Sequence, residues 1–207
     1  MFYPTAGHGI EQNYIRPVLK NLRGPLARGL TCSPNKEAFC CSEDINTLEA
    51  RNHTGALNWI RSFENLTNTN GRPLTEVLLR PGSRWYEMRA ETMADFVANI
   101  NFDKSLFISR LENRAFVDQR LIRFTLQQNK SEAEMVLLHA LLNSVMSMFF
   151  IESLGFGRGL GALDLSKDKI EENFKILNPD LLSTEAKQAI IDSFQPLLAR
   201  QRFTLDI

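Results

Sequence analysis

Arg80, Arg84, Trp85 and Tyr86 crowd into one short stretch and carry side chains suited to nucleic acid. A guanidinium can bond guanine or phosphate through two parallel N–H donors, and an aromatic ring can pack near a disturbed base step. The same residues admit a structural reading. A Trp-Tyr pair beside a strand commonly belongs to a core, with the Tyr hydroxyl paired to backbone. Arg84 suits a structural ion pair as well as a DNA contact. Arg110 and Arg114 flank a hairpin turn expected in the stretch LENRA (residues 111–115), from which both would reach a groove. The alternative for them is a solvated face. Arg158 sits in the glycine run 155–161 (GFGRGLG). A phosphate-binding loop follows a strand and opens a helix. Here the glycines follow the carboxyl end of an expected helix, so a C-cap with glycine at positive φ is the better account. A phosphate contact through Arg158 and exposed glycine amides is the alternative.

Most catalytic signatures are missing. There is no GxSxG elbow, no Walker loop, no HExxH and no CxxC pair. His8, His53 and His139 are scattered, and with Cys32, Cys40 and Cys41 they match no familiar zinc spacing. We therefore expect no catalytic and no metal-ligating residue in this chain.

The composition is that of a globular domain: 207 residues, 43% hydrophobic and 23% charged, which excludes a disordered tail or a histone-like polycation. Lys and Arg total 24, Asp and Glu total 24, and the net charge is zero. That is not the footprint of an independent DNA binder. The charges are unevenly placed, however. Residues 1–30 hold four basic residues and one acid, residues 80–123 eight and six, and residues 164–192 four lysines and seven acids. A basic face and an acidic face can coexist, and weak binding alone would be strengthened by a partner's phosphate contacts. Three cysteines, two of them adjacent, make a poor disulfide framework and suit a reducing cytosol. The first residues show no signal-peptide pattern, so the expected location is cytoplasmic. Residues 136–156 are long and apolar enough to suggest a membrane span, but His139, Asn143, Ser144, Ser147 and Glu152 interrupt them. Those polar groups favour a buried helix, and no membrane partner is expected.

Local patterns supply the elements that must position these residues. Residues 1–35 are rich in Pro and Gly and read as loop, with a helical turn near 11–15. Residues 37–41 read as a strand, 43–50 as a short helix, and Thr54 as the cap of a second helix. Residues 67–83 read as a polar loop. Strand-like alternation follows at 96–100, and further strands at 106–111 and 115–126, with Arg120 and Arg123 among β-formers. Ser131 and Glu134 form a capping-box pattern that opens the strongest helix, expected to run to about residue 154. Ser183 caps a final amphipathic helix. The expected fold is α+β: a mixed, mainly antiparallel sheet with a long buried helix and a C-terminal helical extension, divided into residues 1–182 and 183–207.

Several segments, in order along the chain, resemble one family. They are residues 14–20 (YIRPVLK), 53–60 (HTGALNWI), 84–88 (RWYEM), 117–120 (VDQR), 141–144 (LLNS), 159–165 (GLGALDL) and 176–179 (ILNP). Together they resemble the target-recognition part of adenine-specific DNA methyltransferases of restriction–modification systems, as in TaqI-like C-terminal specificity domains. The catalytic half of that family carries a glycine motif for S-adenosylmethionine and an (N/D)PP(Y/F) motif. This sequence has no Pro-Pro pair and neither motif. The resemblance therefore implies a recognition module for double-stranded DNA that binds no cofactor itself. S-adenosylmethionine would sit on a catalytic methyltransferase chain or domain that acts as partner. The implied DNA-facing residues are Arg80, Arg84, Trp85, Tyr86, Arg110, Arg114 and Arg158.

Two other classes compete. One is a protein–protein interaction or structural module without DNA binding, which the neutral charge favours. The other is a nuclease, for which no compelling carboxylate set is visible on adjoining strands.

Overall fold

The computed structural model describes residues 3–22, 30–88, 93–102, 106–159 and 162–198. Along them run β1 (Ile15–Leu19), β2 (Thr31–Cys32), β3 (Lys36–Phe39), α1 (Ile45–Ala50), α2 (Thr54–Glu64) and α3 (Leu74–Val77). Then come β4 (Ala94–Asn99), β5 (Asn101–Phe102), β6 (Ser109–Val117), β7 (Leu121–Phe124), α4 (Glu132–Leu142) and α5 (Val145–Leu154). The last are β8 (Phe156–Gly159), β9 (Ala162–Asp164), α6 (Lys167–Asn173) and α7 (Thr184–Leu198). This is an α+β fold. The pairs β1–β3, β4–β6, β4–β7, β5–β9 and β8–β9 are antiparallel, and β2–β6 is parallel. The chain divides into two compact units, Met1–Val18 with Asn35–Met93, and Leu19–Pro34 with Ala94–Ile207.

In the first unit, Ile15, Tyr14, Phe39, Leu48, Ile60 and Tyr86 share one core. Asp44 caps α1 by accepting from the Thr47 amide at 2.8 Å, as acidic and Asx caps do. The second helix is capped differently from the sequence expectation. Thr54 is its first residue, and the carboxylate of Glu11 accepts from the amides of Gly55 and Ala56, both at 2.9 Å. These bonds hold the Glu11 carboxyl below its ordinary range, although burial alone would raise it. Gly55 is required there, because a Cβ would lie 2.1 Å from the carbonyl oxygen of Gly9. Residues 67–83, expected as loop, include the short helix α3 and a Thr67–Pro73 bridge.

The second unit corrects three expectations. The stretch LENRA is not a turn. It lies inside β6, and the reversal to β7 comes at residues 118–120, where Asp118 accepts from the Arg120 amide at 2.9 Å. Between the pairs Ala94↔Ala115 and Phe96↔Arg110 the strand β4 advances two residues and β6 five. That bulge leaves Glu112, Asn113 and Arg114 all exposed in a row, which is why the segment reads as a loop.

The long helix is two helices. α4 opens with the expected capping box of Ser131 and Glu134, and α5 departs from it at 53°. Asn143 ends α4 by turning its side chain onto backbone. It accepts from the Ile108 amide and donates to the Ile108 carbonyl, both at 2.9 Å. Ser144 then caps α5, accepting from the Ser147 amide. Asn143 bonds backbone across the unit and Ser144 bonds it locally, and together these bonds win over helix continuation. α4 is buried, whereas the outer face of α5 is not. Among the described residues no single helix is long and apolar enough to cross a membrane.

The glycine run is a hairpin strand. Gly155 ends α5 with extended backbone at φ −78°, not the positive φ expected, and β8 follows directly. Glycine at 155 leaves room for the Leu163 side chain, which a Cβ there would meet at 2.6 Å and push aside. The final helix α7 packs on α4 through Phe194, Val136 and Ala140. His139, fully buried in α4, lies against Phe194 and Phe96. Its Nε2 meets the Ile108 carbonyl at 2.9 Å, while Nδ1 has no partner among the described residues.

Candidate nucleic-acid interface

The residues singled out from the sequence fall into distinct environments. In the first unit, residues 79–84 and Glu87 line an open concavity of about 670 Å³. Its rim is the turn at Pro81-Gly82. Gly82 takes φ +72°, and the Ser83 amide closes the turn onto the Arg80 carbonyl at 3.1 Å. Proline then glycine at the two central positions is what a type II turn demands. The turn presents Arg80 to solvent, and no acid pairs with it among the described residues.

Arg84 is engaged at once by three groups. Its Nη1 donates to the Ser42 carbonyl at 2.9 Å, and its guanidinium lies 3.5 Å from Glu87 and 3.8 Å from Asp44. Its amide also donates to Glu87. Arg84 thus ties the concavity to the start of α1. Trp85 is half-buried on the core and meets Tyr86 edge to face, with ring centroids 5.5 Å apart. Tyr86 is 3% exposed, and its hydroxyl donates to the Glu43 carbonyl at 2.9 Å. Burial pushes that hydroxyl up to about 12, so it stays protonated. The ring of Tyr86 is a core group under the concavity, not a surface group.

In the second unit, Arg110 forks onto Glu132 at the start of α4, at 2.6 and 2.7 Å. That bond raises the Arg110 pKa and lowers the Glu132 one. Arg114 lies 3.2 Å from the buried carboxylate of Asp95, which also accepts from the Leu126 amide at 2.8 Å. Arg158 stands in β8, and its side chain is outside the described residues.

A second set of cations escapes the sequence reading. Lys167 donates to the Gln119 carbonyl, in the turn that leads to β7. Its pKa is lowered, first by burial and then by the charge of Arg123, with Asp118 opposing. Arg120 and Arg123 are both exposed. Arg123 and Lys167 are far apart in sequence, so only the fold brings these like charges together. The available signals were Arg123 among β-formers and a lysine in the first turn of α6, where a helix dipole favours acids.

Among the described residues no group of three or more His, Cys, Asp or Glu is placed to hold a metal ion. Cys32, Cys40 and Cys41 are buried free thiols. Burial pushes Cys32 up to about 12 and Cys40 up to about 11, which keeps both thiols protonated and unreactive.

No family model matches the chain. No curated protein matches it either. Among solved structures the chain is similar to the type IIG restriction endonuclease BpuSI, at 17% identity and a TM-score of 0.47, over 95% of this chain and 23% of that one. The chain thus spans less than a quarter of the length of that restriction enzyme.

Proposed function

We propose that this chain is a DNA target-recognition module of a restriction–modification adenine methyltransferase, or of a combined restriction and methylation enzyme. Methyl transfer and S-adenosylmethionine belong, in this reading, to another chain or domain. The observation that supports it most is Arg80, an exposed guanidinium without an acidic partner among the described residues, carried on a rigid Pro-Gly turn at the edge of an open concavity. It joins the sequence resemblance quoted above. Arg80 contacts double-stranded DNA directly. Arg84, Trp85 and Tyr86 position its turn. In the second unit, taken by itself, the exposed Arg120, Arg123 and Lys167 supply phosphate contacts, and Arg158 is carried over as a phosphate contact from the sequence reading alone. Arg110 ties β6 to α4 through Glu132, and Arg114 ties it to β4 through Asp95.

The test is binding to a library of duplexes, by the chain alone and together with a catalytic methyltransferase chain. A sequence preference that weakens in Arg80→Ala supports the reading. Indifference to sequence in both settings rejects it.

A protein-binding module without a DNA role is the second reading. The uncovered apolar face of α5 favours it. In that case Arg80→Ala, Arg123→Ala and Lys167→Ala leave DNA retention unchanged.

A further inference from the structure

The outer face of α5 is apolar and bare. Val145, Met146, Phe149 and Phe150 are 87, 65, 65 and 36% exposed. Their spacing puts them on one side of the helix, with Phe149 central, while Ser147 and Ile151 point into the unit and are buried. Val145 also lines an apolar groove of about 700 Å³ between α4, α5 and α7, whose far wall includes Leu197, 45% exposed. Stripe and groove are therefore one continuous surface. At ~150–250 Å² for a large side chain, these exposures leave on the order of 500 Å² of apolar area uncovered.

We propose that this surface joins two copies of the chain, with α5 packing antiparallel on α5 of the second copy about a two-fold axis at Phe149. The area fits: two such patches bury on the order of 1,000 Å² in total, the threshold of a specific interface. The patch is also self-complementary, as an isologous contact requires. Among the described residues it carries no Lys or Arg, and the single charge of α5 is Glu152. In the antiparallel arrangement each Glu152 lies beside the first turn of the opposite helix, where the dipole favours an acid, and the two Glu152 side chains stay apart. A parallel arrangement would set them level. The absence of basic residues equally disfavours an anionic membrane as occupant. The proposal is independent of the DNA reading.

Sedimentation of the full chain over a dilution series tests it. Wild type is expected to move from two-chain mass at high concentration to one-chain mass on dilution. Phe149→Asp is expected to stay at one-chain mass throughout, and to melt as wild type does at dilutions where wild type is itself one chain, because the side chain is exposed in the single chain. Phe149→Cys should form an inter-chain disulfide on oxidation. Val145→Cys should not, since antiparallel pairing holds its two copies ~12 Å apart along the axis. The native cysteines are buried and do not interfere. One-chain mass at every concentration overturns the proposal, as does a dimer that survives Phe149→Asp. Equal cross-linking at both positions overturns the antiparallel arrangement. A monomer that co-sediments with neutral phosphatidylcholine vesicles assigns the face to lipid instead.

Discussion

Arg110 closes on Glu132 with two hydrogen bonds of nearly equal length, Nη1 to Oε1 at 2.6 Å and Nη2 to Oε2 at 2.7 Å. The fork ties the middle of the sheet to the first turn of α4, where the Glu132 carboxylate also suits the helix dipole. Glu132 is largely exposed, which screens the pair, so its contribution is modest despite the two-point geometry. Arg110→Ala is expected to cost about 1 kcal/mol in urea unfolding. Glu132→Gln should cost less, and the double substitution should fall short of the sum. A sum that adds fully would show that the fork contributes nothing.

His139 makes the fold acid-sensitive. Burial lowers its pKa from 6.5 to about 4, the Ile108 carbonyl opposes that, and Arg110 adds to it. The native state thus refuses a proton that the unfolded chain accepts. Stability from this group is complete above pH 6.5 and is lost as pH falls towards 4, on the order of 3 kcal/mol across the window. Glu11, Glu132 and Glu134 have lowered pKa values, so their contributions fade only as pH drops through the carboxylate range. Unfolding free energies measured from neutral pH to pH 5 should slope downward for wild type and lie nearly flat for His139→Gln. Equal slopes would refute the assignment.

Gly55 and Gly157 make a matched pair of tests. Alanine at 55 would drive its Cβ into the Gly9 carbonyl and disturb the Glu11 cap, at about 3 kcal/mol or more. Alanine at 157 meets nothing within 4 Å and should change stability by well under 1 kcal/mol. Thermal melts of the two variants check this.

DNA binding, where it occurs, should separate contact from support. Arg80→Ala, Arg123→Ala and Lys167→Ala should each reduce the steepness of the salt dependence by ~1, the signature of one lost phosphate contact. A base contact by Arg80 would instead cost about 1–3 kcal/mol at one position of the recognised site. Arg84→Ala should lower the melting temperature and leave the salt dependence nearly unchanged, because its donors are already committed to Ser42, Asp44 and Glu87. Titrations at several salt concentrations distinguish these outcomes.

Short-range signals determined a good deal of this protein. The capping box at Ser131 is local, and a local rule reads it correctly; the Asp44 cap and the Pro-Gly turn at 81–82 are local devices of the same kind. The alternation expected at 96–100 is not found: residues 94–98 of β4 are all buried, because the strand is covered on both faces. Tertiary structure decided the rest. Asn143 breaks the apolar helix because Ile108, distant in sequence, offers its amide and carbonyl to the side chain. LENRA remains strand because β4 and β2 pair with it and absorb its exposed residues as a bulge. The charged residues show the divide most clearly. A guanidinium looks the same in sequence whether it faces water, as at Arg80, or an acid folded against it, as at Arg84, Arg110 and Arg114. Ion pairing depends on distances across the fold, and no local pattern encodes them.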